Sequence, residues 1–332
     1  MSLPTIICTS VIRSSKQGES HGGMYLLNLE NEKFELVVDW NDSSINWEGR
    51  GADRGLRGIA FYDDLILAAA SDEIYFFDQK FKAVRSIKNK YLKHCHEIYI
   101  HENTLYLSST GYDSILLYNL VKNCFVGAYC YRKSSAIKGK YWRKIRKMLG
   151  LKQEKEGPPR FYTYDPNSGS GPFFQDTFHI NNVFIHQNSI YFSGTLMDRL
   201  MKITKADELE EVCALPMGTH NVRFDGYTLT YNDTASDRVV QELSTGGEKR
   251  EFNISHYNSD ELDFHNIPKD HARQGFGRGM VLEGNLLIGG SSPSTISVYD
   301  LIKKERIKKI NLTMDVRNSI HGLEIYPYQN NF

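Results

Sequence analysis

Two features of the sequence predict an all-β fold, a six-bladed β-propeller. A unit of three short strands recurs: an inner strand, a second apolar strand ending in small residues, and a third alternating strand, separated by polar turns. Period-2 alternation bounded by turn residues is typical of antiparallel strands. In addition, a lone inner strand at the C-terminus matches three leftover strands at the N-terminus. Joining them would close the ring and leave no open sheet edge.

The repeat is clearest in its second copy. Its strands read His96-Glu-Ile-Tyr-Ile, Thr104-Leu-Tyr-Leu-Ser-Ser and Ser114-Ile-Leu-Leu-Tyr. The closing blade would combine a C-terminal strand with three N-terminal ones: His321-Gly-Leu-Glu-Ile-Tyr, Thr5-Ile-Ile-Cys-Thr-Ser, Met24-Tyr-Leu-Leu-Asn-Leu and Phe34-Glu-Leu-Val-Val-Asp. A two-sheet sandwich is the main alternative, but six matching copies and the closing strand favour the propeller.

Aspartate recurs in the turn between the second and third strands of the repeat. The positions are Asp72, Asp113, Asp198 and Asp237. Because an Asp side chain can accept a hydrogen bond from the backbone two residues further on, we interpret these residues as turn-forming.

Composition is typical of one large β-domain and excludes several classes of function. We expect a single domain over 1–332, long enough to bury a substantial core. Lys+Arg and Asp+Glu both number 40, so no overall field favours nucleic acid. The five cysteines form no C-x-x-C pair, and neither a signal-peptide pattern nor a transmembrane-length apolar run is present. We therefore expect a cytoplasmic protein with no nucleic-acid partner and no transmembrane segment.

Two insertions interrupt the repeat. The larger, about 131–176 between blades 2 and 3, contains a basic amphipathic pattern that predicts a helix over 136–151. This helix could cover the channel as a lid, pack on the disc, or touch an anionic membrane surface through residues 138–151. The smaller insertion, 252–275, is polar and is a second candidate lid.

Six polar residues occupy equivalent positions, just ahead of each inner strand. They are Arg57, His96, Asn181, His220, Arg278 and His321. Inner strands line the central channel of a propeller, so these side chains should gather at one mouth, with the three histidines on alternate blades. Three imidazoles with one open position suit a divalent metal ion, zinc first, with iron or manganese as alternatives.

The arginines of this ring predict how a substrate would be held. Guanidinium groups at Arg57 and Arg278 could clamp a carboxylate or a phosphate. Arg54 adds positive charge nearby, and we expect it and Asn181 to contact the substrate.

Two further histidines are candidates for acid–base chemistry. His94 and His179 precede ring positions by two residues and so share their facing. Glu97 directly follows His96, and strand alternation predicts that it points to the opposite side of its strand. We therefore expect it to support the ring residues or to pack within its blade rather than to act as a base.

The layout of the repeat resembles the six-bladed propellers of the NHL-like and gluconolactonase-like kind, whereas WD and Kelch signatures do not recur. The histidine ring is also similar to the site of the peptidylglycine amidating lyase family, a six-bladed propeller whose zinc is held by three histidines beside a catalytic arginine and tyrosine. This resemblance implies His96, His220 and His321 as zinc ligands, with Arg57 or Arg278 as the catalytic cation. It does not extend to a linear motif or to the substrate.

The sequence leaves three hypotheses for function. The first is a metal-dependent lyase or hydrolase that acts in the channel on a small anionic or peptide-derived substrate. The second is a non-catalytic propeller whose outer surface binds proteins, since the fold alone supports either. The third is an oxygenase with histidine-ligated iron.

Overall fold

A computed structural model describes residues 3–41, 55–134, 148, 157–268 and 272–329. Within these ranges the strands form six antiparallel sheets, five made of consecutive strands and the sixth of one C-terminal and three N-terminal strands. The prediction of an all-β, six-bladed propeller is confirmed.

The first three blades contain four, five and four strands. Blade 1 consists of β4 (Ile59–Tyr62), β5 (Leu65–Ala69), β6 (Glu73–Phe77) and β7 (Ala83–Lys88). Blade 2 consists of β8 (Ile98–His101), β9 (Thr104–Ser109), β10 (Ser114–Asn119), β11 (Cys124–Ser134) and β12 (Gly157–Tyr164). Blade 3 consists of β13 (Ile180–His186), β14 (Ser189–Gly194), β15 (Arg199–Ile203) and β16 (Leu209–Ala214).

The last three blades contain four strands each. Blade 4 consists of β17 (Thr219–Phe224), β18 (Thr228–Asp233), β19 (Arg238–Leu243) and β20 (Lys249–Asn253). Blade 5 consists of β21 (Met280–Glu283), β22 (Leu286–Ser291), β23 (Thr295–Asp300) and β24 (Glu305–Asn311). Blade 6 consists of β25 (Asn318–Ile325), β1 (Thr5–Ile12), β2 (Gly23–Asn28) and β3 (Phe34–Asp39).

Blade 6 closes the ring as predicted. β25 pairs antiparallel with β1, from Ile6 opposite Ile325 to Ile12 opposite Asn318. The C-terminal strand is therefore the innermost strand of a sheet whose other three strands come from the N-terminus. Because these strands share one sheet, blade 6 packs between blades 5 and 1 and closes the ring.

The hydrophobic core consists of apolar layers between neighbouring blades. Among the described residues there are six buried clusters, and each joins side chains of two adjacent blades. The cluster between blades 4 and 5 is the smallest, with the seven residues Val239, Phe252, Ile254, Met280, Leu287, Tyr299 and Leu301.

The first insertion enlarges blade 2. β11 continues to Ser134 and pairs with β12, which adds a fifth, outermost strand that the sequence did not predict. The helix predicted over 136–151, including the surface proposed for membrane contact, lies outside the described residues except for Met148, whose backbone is helical.

The second insertion packs against blade 5. The Tyr257 hydroxyl lies 3.0 Å from Oγ1 of Thr295 in β23. Asp263 forms an isolated bridge with Asp315, just ahead of β25. The described part of 252–275 therefore covers the side of blade 5 where the ring residues lie.

Two of the recurrent turn aspartates, Asp113 and Asp237, bind the segment that leads into the next blade. Oδ2 of Asp113 accepts a hydrogen bond from the Thr177 N–H at 2.7 Å, and Oδ1 accepts from the N–H groups of Phe178 and His179 at 3.0 and 3.1 Å. In the same way, Oδ1 of Asp237 accepts from the Phe276 N–H at 3.0 Å. The interpretation as turn-forming residues was incomplete, because these carboxylates position the segment that leads into the next inner strand.

Replacing Asp113 with Ala should lower the free energy of unfolding by about 2–4 kcal/mol, because three backbone N–H groups lose their acceptor. Urea denaturation would measure this loss. Asp198→Ala is the matched control: it removes the equivalent turn residue of blade 3, whose side chain is 63% exposed and pairs with Arg199. The control should stay within about 0.5 kcal/mol of the wild type. Equal losses in the two variants would contradict this role of Asp113.

The same carboxyl group should make stability depend on pH. Burial raises the pKa of Asp113 from 3.8 to about 6. The folded state therefore holds this proton more tightly than the unfolded state, and the resulting stabilisation is lost as the pH rises through about 6. Asp113→Asn cannot titrate, so the stability of the wild type relative to this variant should fall between about pH 4 and 7. A constant difference in urea midpoint over that range would exclude the effect.

Candidate functional site

The backbone just before the ring positions has an unusual conformation. His94, His179 and Phe276 adopt positive φ angles of 54°, 55° and 46°, and Gly218 has a φ of 91°. Each stands two residues ahead of a ring residue. Non-glycine side chains rarely adopt this left-handed conformation, and such strain is concentrated at functional sites.

The three ring histidines share one hydrogen bond. Nδ1 of each lies near the backbone carbonyl two residues earlier: His96 with His94 O at 2.8 Å, His220 with Gly218 O at 3.1 Å, and His321 with Ser319 O at 3.1 Å. A carbonyl oxygen can only accept, so the proton is on Nδ1 in each neutral ring. Each Nε2 is left with its lone pair available as an acceptor or a ligand.

These histidines surround a small cavity on the propeller axis. The cavity has a volume of about 10 Å³, close to the smallest space that holds one water molecule. The lining residues are His96, Glu97, Asn181, His220, Asn221, Arg278 and His321. Nε2 of His220 and Oδ1 of Asn181 are buried with no hydrogen-bond partner among the described residues. Two unpartnered acceptors favour a cation or a hydrogen-bond donor in this cavity.

Burial keeps the three histidines neutral. It lowers the pKa of His96, His220 and His321 well below 6.5, and the positive charge of Arg278 lowers each further. The Arg57 guanidinium acts in the same direction on His96 and His321. Neutral imidazole is the form that binds metal ions.

The two ring arginines are buried beside the histidines. Arg278 donates from Nη1 to Nε2 of His321, and its Cζ lies 4.5 Å from the centre of the Phe276 ring. Arg57 donates from Nη1 to the Cys95 carbonyl at 3.3 Å. The predicted pair of arginines therefore lies at the ring, but Arg278 makes a contact with a histidine that the sequence did not predict.

The two additional histidines lie beside His96. The His179 ring centre is 5.4 Å from that of His96, and its Nδ1 lies 2.8 Å from a carboxylate oxygen of Asp176. The His94 ring packs edge-on against Phe174, and burial together with Arg57 lowers its pKa. Arg54, the other predicted substrate contact, lies outside the described residues.

The prediction that Glu97 points away from the ring is wrong. Regular strand structure in blade 2 begins at Ile98, so the alternation does not extend to Glu97, which lines the axial cavity. Its Oε1 accepts a hydrogen bond from Nδ2 of Asn221 at 2.6 Å. Burial raises the pKa of Glu97 to about 7. Arg223 lies on its other side, with Nη2 3.6 Å from Oε2 of Glu97 and 3.9 Å from Oε1 of Glu324.

The sequence contains a signal for the polar side chains that lie beside the ring, such as Glu97 and Asn221. The residues that follow the ring positions are glycine in blades 1, 5 and 6, but Glu97, Asn182 and Asn221 in blades 2, 3 and 4. A Cβ at Gly58 would lie 2.6 Å from the His96 carbonyl oxygen, and one at Gly322 would lie 2.4 Å from that of Arg57. Neighbouring backbones thus pack closely on one half of the ring, and polar side chains occupy the other half.

The ligand geometry of a metal site is not formed in this arrangement. Across the described parts of the chain, no three His, Cys, Asp or Glu side chains converge closely enough to hold an ion. The ring centres of His96 and His321 lie 6.4 Å apart, and Arg278 contacts the second of these rings. The imidazole nitrogens and the amide oxygen of this cavity are suitable metal ligands in chemical type. They do not lie in positions from which they could coordinate one ion together.

Comparisons with known proteins identify the fold and no family. No protein-family model matches the chain, and no curated protein matches it in sequence. A crystal structure of a nidogen–laminin complex contains a chain that aligns with a TM-score of 0.56 at 10% identity, over 96% of this chain and 97% of that one. A streptogramin B lyase gives a TM-score of 0.48 at 14% identity, over 82% and 94%. At this identity the first likeness shows the propeller fold alone.

None of the helices in the described parts of the chain is long and apolar enough to cross a bilayer.

The assigned tautomers can be tested by nitrogen-15 NMR of the ring nitrogens in chelator-treated protein. His96, His220 and His321 should give the pattern of a protonated Nδ1 with a bare Nε2 and should remain neutral at pH 6, because burial depresses their pKa. Substituting each by Gln in turn assigns the signals. Protonation of these rings near pH 6.5, or a pattern with the proton on Nε2, would contradict the assignment.

Proposed function

We propose that this protein is a metal-dependent propeller enzyme, a lyase or hydrolase, that acts in the axial channel on a small anionic or peptide-derived substrate. The observation that carries the proposal is the bond from Nδ1 of His96, His220 and His321 to a backbone carbonyl. Histidines that bind metals donate their second ring N–H to such partners, which fixes the ring and its tautomer. The small cavity with unpartnered acceptors supports the same proposal.

The three Nε2 atoms would hold the ion, with Oδ1 of Asn181 in the same cavity. Neutral imidazoles suit zinc, with iron or manganese as alternatives. A bound divalent cation would lower the pKa of a water molecule or polarise a carbonyl group. Iron in this position would correspond to the oxygenase version of the proposal.

Arg278 controls access to this site, because its Nη1 occupies Nε2 of His321. Metal binding requires the guanidinium to withdraw from that nitrogen. The centre of the Phe276 ring lies 4.5 Å from Cζ of Arg278, and this cation–π contact would stabilise the guanidinium after it leaves His321. From there Arg278, together with Arg57, would hold the anionic group of the substrate.

Proton transfer would fall to the histidines at the mouth. His179 donates from Nδ1 to Asp176, so its Nε2 can take a proton from the substrate or from water. His94, kept neutral by burial, is the second candidate base. Arg54 and Asn181 complete the predicted substrate contacts.

The competing function is a non-catalytic propeller whose ring is a buried polar plug and whose surface binds other proteins. The contact between Arg278 and His321 favours it, because this hydrogen bond gives Nε2 of His321 a partner without a ligand. The two proposals differ in whether metal is bound.

Elemental analysis of protein purified without chelators separates these proposals. The metalloenzyme should carry about one metal ion per chain, and His220→Ala should reduce this below about 0.1 because a three-histidine site loses one ligand. His101→Ala is the matched control, since His101 ends the inner strand β8 that His96 precedes and contacts Asn188. It should leave the metal content unchanged.

Less than about 0.1 ion per chain in the wild type, unchanged after incubation with zinc, iron(II) or manganese(II), would refute the metal site and support the polar plug. Equal loss of metal in the His220 and His101 variants would also refute it. Circular dichroism of each variant shows whether the fold persists.

A further inference from the structure

A second and much larger cavity lies at the opposite mouth of the propeller. Its volume is about 710 Å³, within the roughly 300–1,000 Å³ that is typical of small-molecule sites. It begins at the channel, beside Arg223 and Glu324, and extends outward between blades 4 and 5. The turns that border it, at 225–228, 284–285 and 301–302, connect strands at the ends remote from the histidine ring.

The packing of the blades explains why a cavity exists here. Blades 4 and 5 share the smallest of the apolar clusters formed by the described residues. The space that side chains fill at other blade interfaces is therefore open at this one. Protein interiors are otherwise packed without voids of this size.

The two walls of the cavity differ in chemistry. The wall from blade 4 is mostly polar and contains Thr228, Thr230, Gln241 and Arg250, with Phe224 as an apolar member. The wall from blade 5 is apolar and contains Met280, Val281, Leu282, Leu301 and Ile302. Ile302 is 70% exposed, although it is a large apolar residue beside a cavity. A ligand that satisfies both walls needs a polar group on one side and an apolar body on the other.

Arg250 is held in place on the polar wall. Its Nη1 donates to Oε1 of Gln241 at 2.7 Å, and its Nη2 lies 3.5 Å from a carboxylate oxygen of Glu248. Its Nε is buried with no hydrogen-bond partner among the described residues. Nε2 of His186, which also lines the cavity, is likewise buried with no hydrogen-bond partner among the described residues. The Arg250 side chain is 31% exposed and lines the cavity, so its guanidinium can donate to an acceptor oxygen of a ligand.

The carboxylates of the cavity are already engaged. Oδ1 of Asp225 accepts hydrogen bonds from the N–H groups of Tyr227 and Thr228. Glu324 lies beside Arg223 at 3.9 Å. The carboxylate partner of Arg250, Glu248, is 3.5 Å away and is not one of the residues that line the cavity. Arg250 is therefore the group that an anionic ligand would contact.

We infer that this cavity binds a small organic anion, with a carboxylate or phosphate on Arg250 and an apolar body against Leu282 and Ile302. This site is separate from the histidine ring and does not depend on metal binding there. It gives the protein a ligand-binding function on the face opposite to its candidate catalytic site.

Calorimetric titration with four probes tests the inference. 4-Phenylbutyrate and 4-phenylbutyl phosphate carry both the charge and the apolar body, 4-phenylbutyramide lacks the charge, and acetate lacks the body. The two anionic probes should bind saturably, and the better of them identifies the preferred anionic group. The amide and acetate should bind at least about tenfold more weakly, because a charge-assisted hydrogen bond or an apolar contact is lost.

Arg250→Gln should weaken 4-phenylbutyrate at least about tenfold. Arg238→Gln is the matched control: it removes an arginine of the same blade that pairs with Glu251 and does not line the cavity. It should bind like the wild type. The isotherms should also be the same with a chelator present, so that failure of the metal site and failure of this site are distinguishable.

Three results would overturn the inference. They are the absence of saturable binding up to about 10 mM of either anionic probe, equal affinity for the amide and the carboxylate, and unchanged affinity in Arg250→Gln. The comparison of amide with carboxylate uses wild-type protein and so does not depend on the folding of any variant.

Discussion

Pairing between β25 and β1 is the constraint on which the other features depend. It joins the two ends of the chain, from Ile6 opposite Ile325 to Ile12 opposite Asn318. The same strand places Ile320 and Leu323 in the apolar cluster between blades 5 and 6. It also brings His321 to the axial cavity and Glu324 to the opposite mouth. Loop closure over such a length costs entropy, and the two interfaces that blade 6 makes offset that cost.

The axial site combines groups of opposing character. His220 and Asn181 present unpartnered acceptors, which favour a cation, while Arg57 and Arg278 add positive charge, which disfavours one. Burial of these side chains strengthens both effects. The buried Glu97, whose pKa is raised to about 7, is the nearest group that can supply compensating negative charge. A cation that enters this cavity would therefore stabilise the ionised form of Glu97.

Most of the fold and the membership of the ring could be predicted from sequence, because both follow from repetition. Equivalent positions of a repeat occupy equivalent places around an axis, so His96, His220 and His321 could be placed without any local motif. The contact of Arg278 with His321 could not be predicted, since it depends on side-chain rotamers and on the packing of neighbouring blades. Glu97 was misplaced because strand alternation was extended one residue beyond the start of β8. The cavity at the mouth opposite the histidine ring lies where blades 4 and 5 share the smallest apolar cluster. No periodic pattern in the sequence predicts such a difference between blade interfaces.

The unequal blade interfaces have a mechanical consequence. In a closed ring, no interface can widen unless the others adjust, and the one that buries the least apolar surface yields first. Among the described residues the smallest apolar cluster lies between blades 4 and 5, where His220 and Arg278 line the axial cavity. Breathing of the ring would thus change the separation of these two groups more than that of any other neighbouring pair. The packing between blades 4 and 5 would therefore affect both the rigidity of the ring and the width of its central channel.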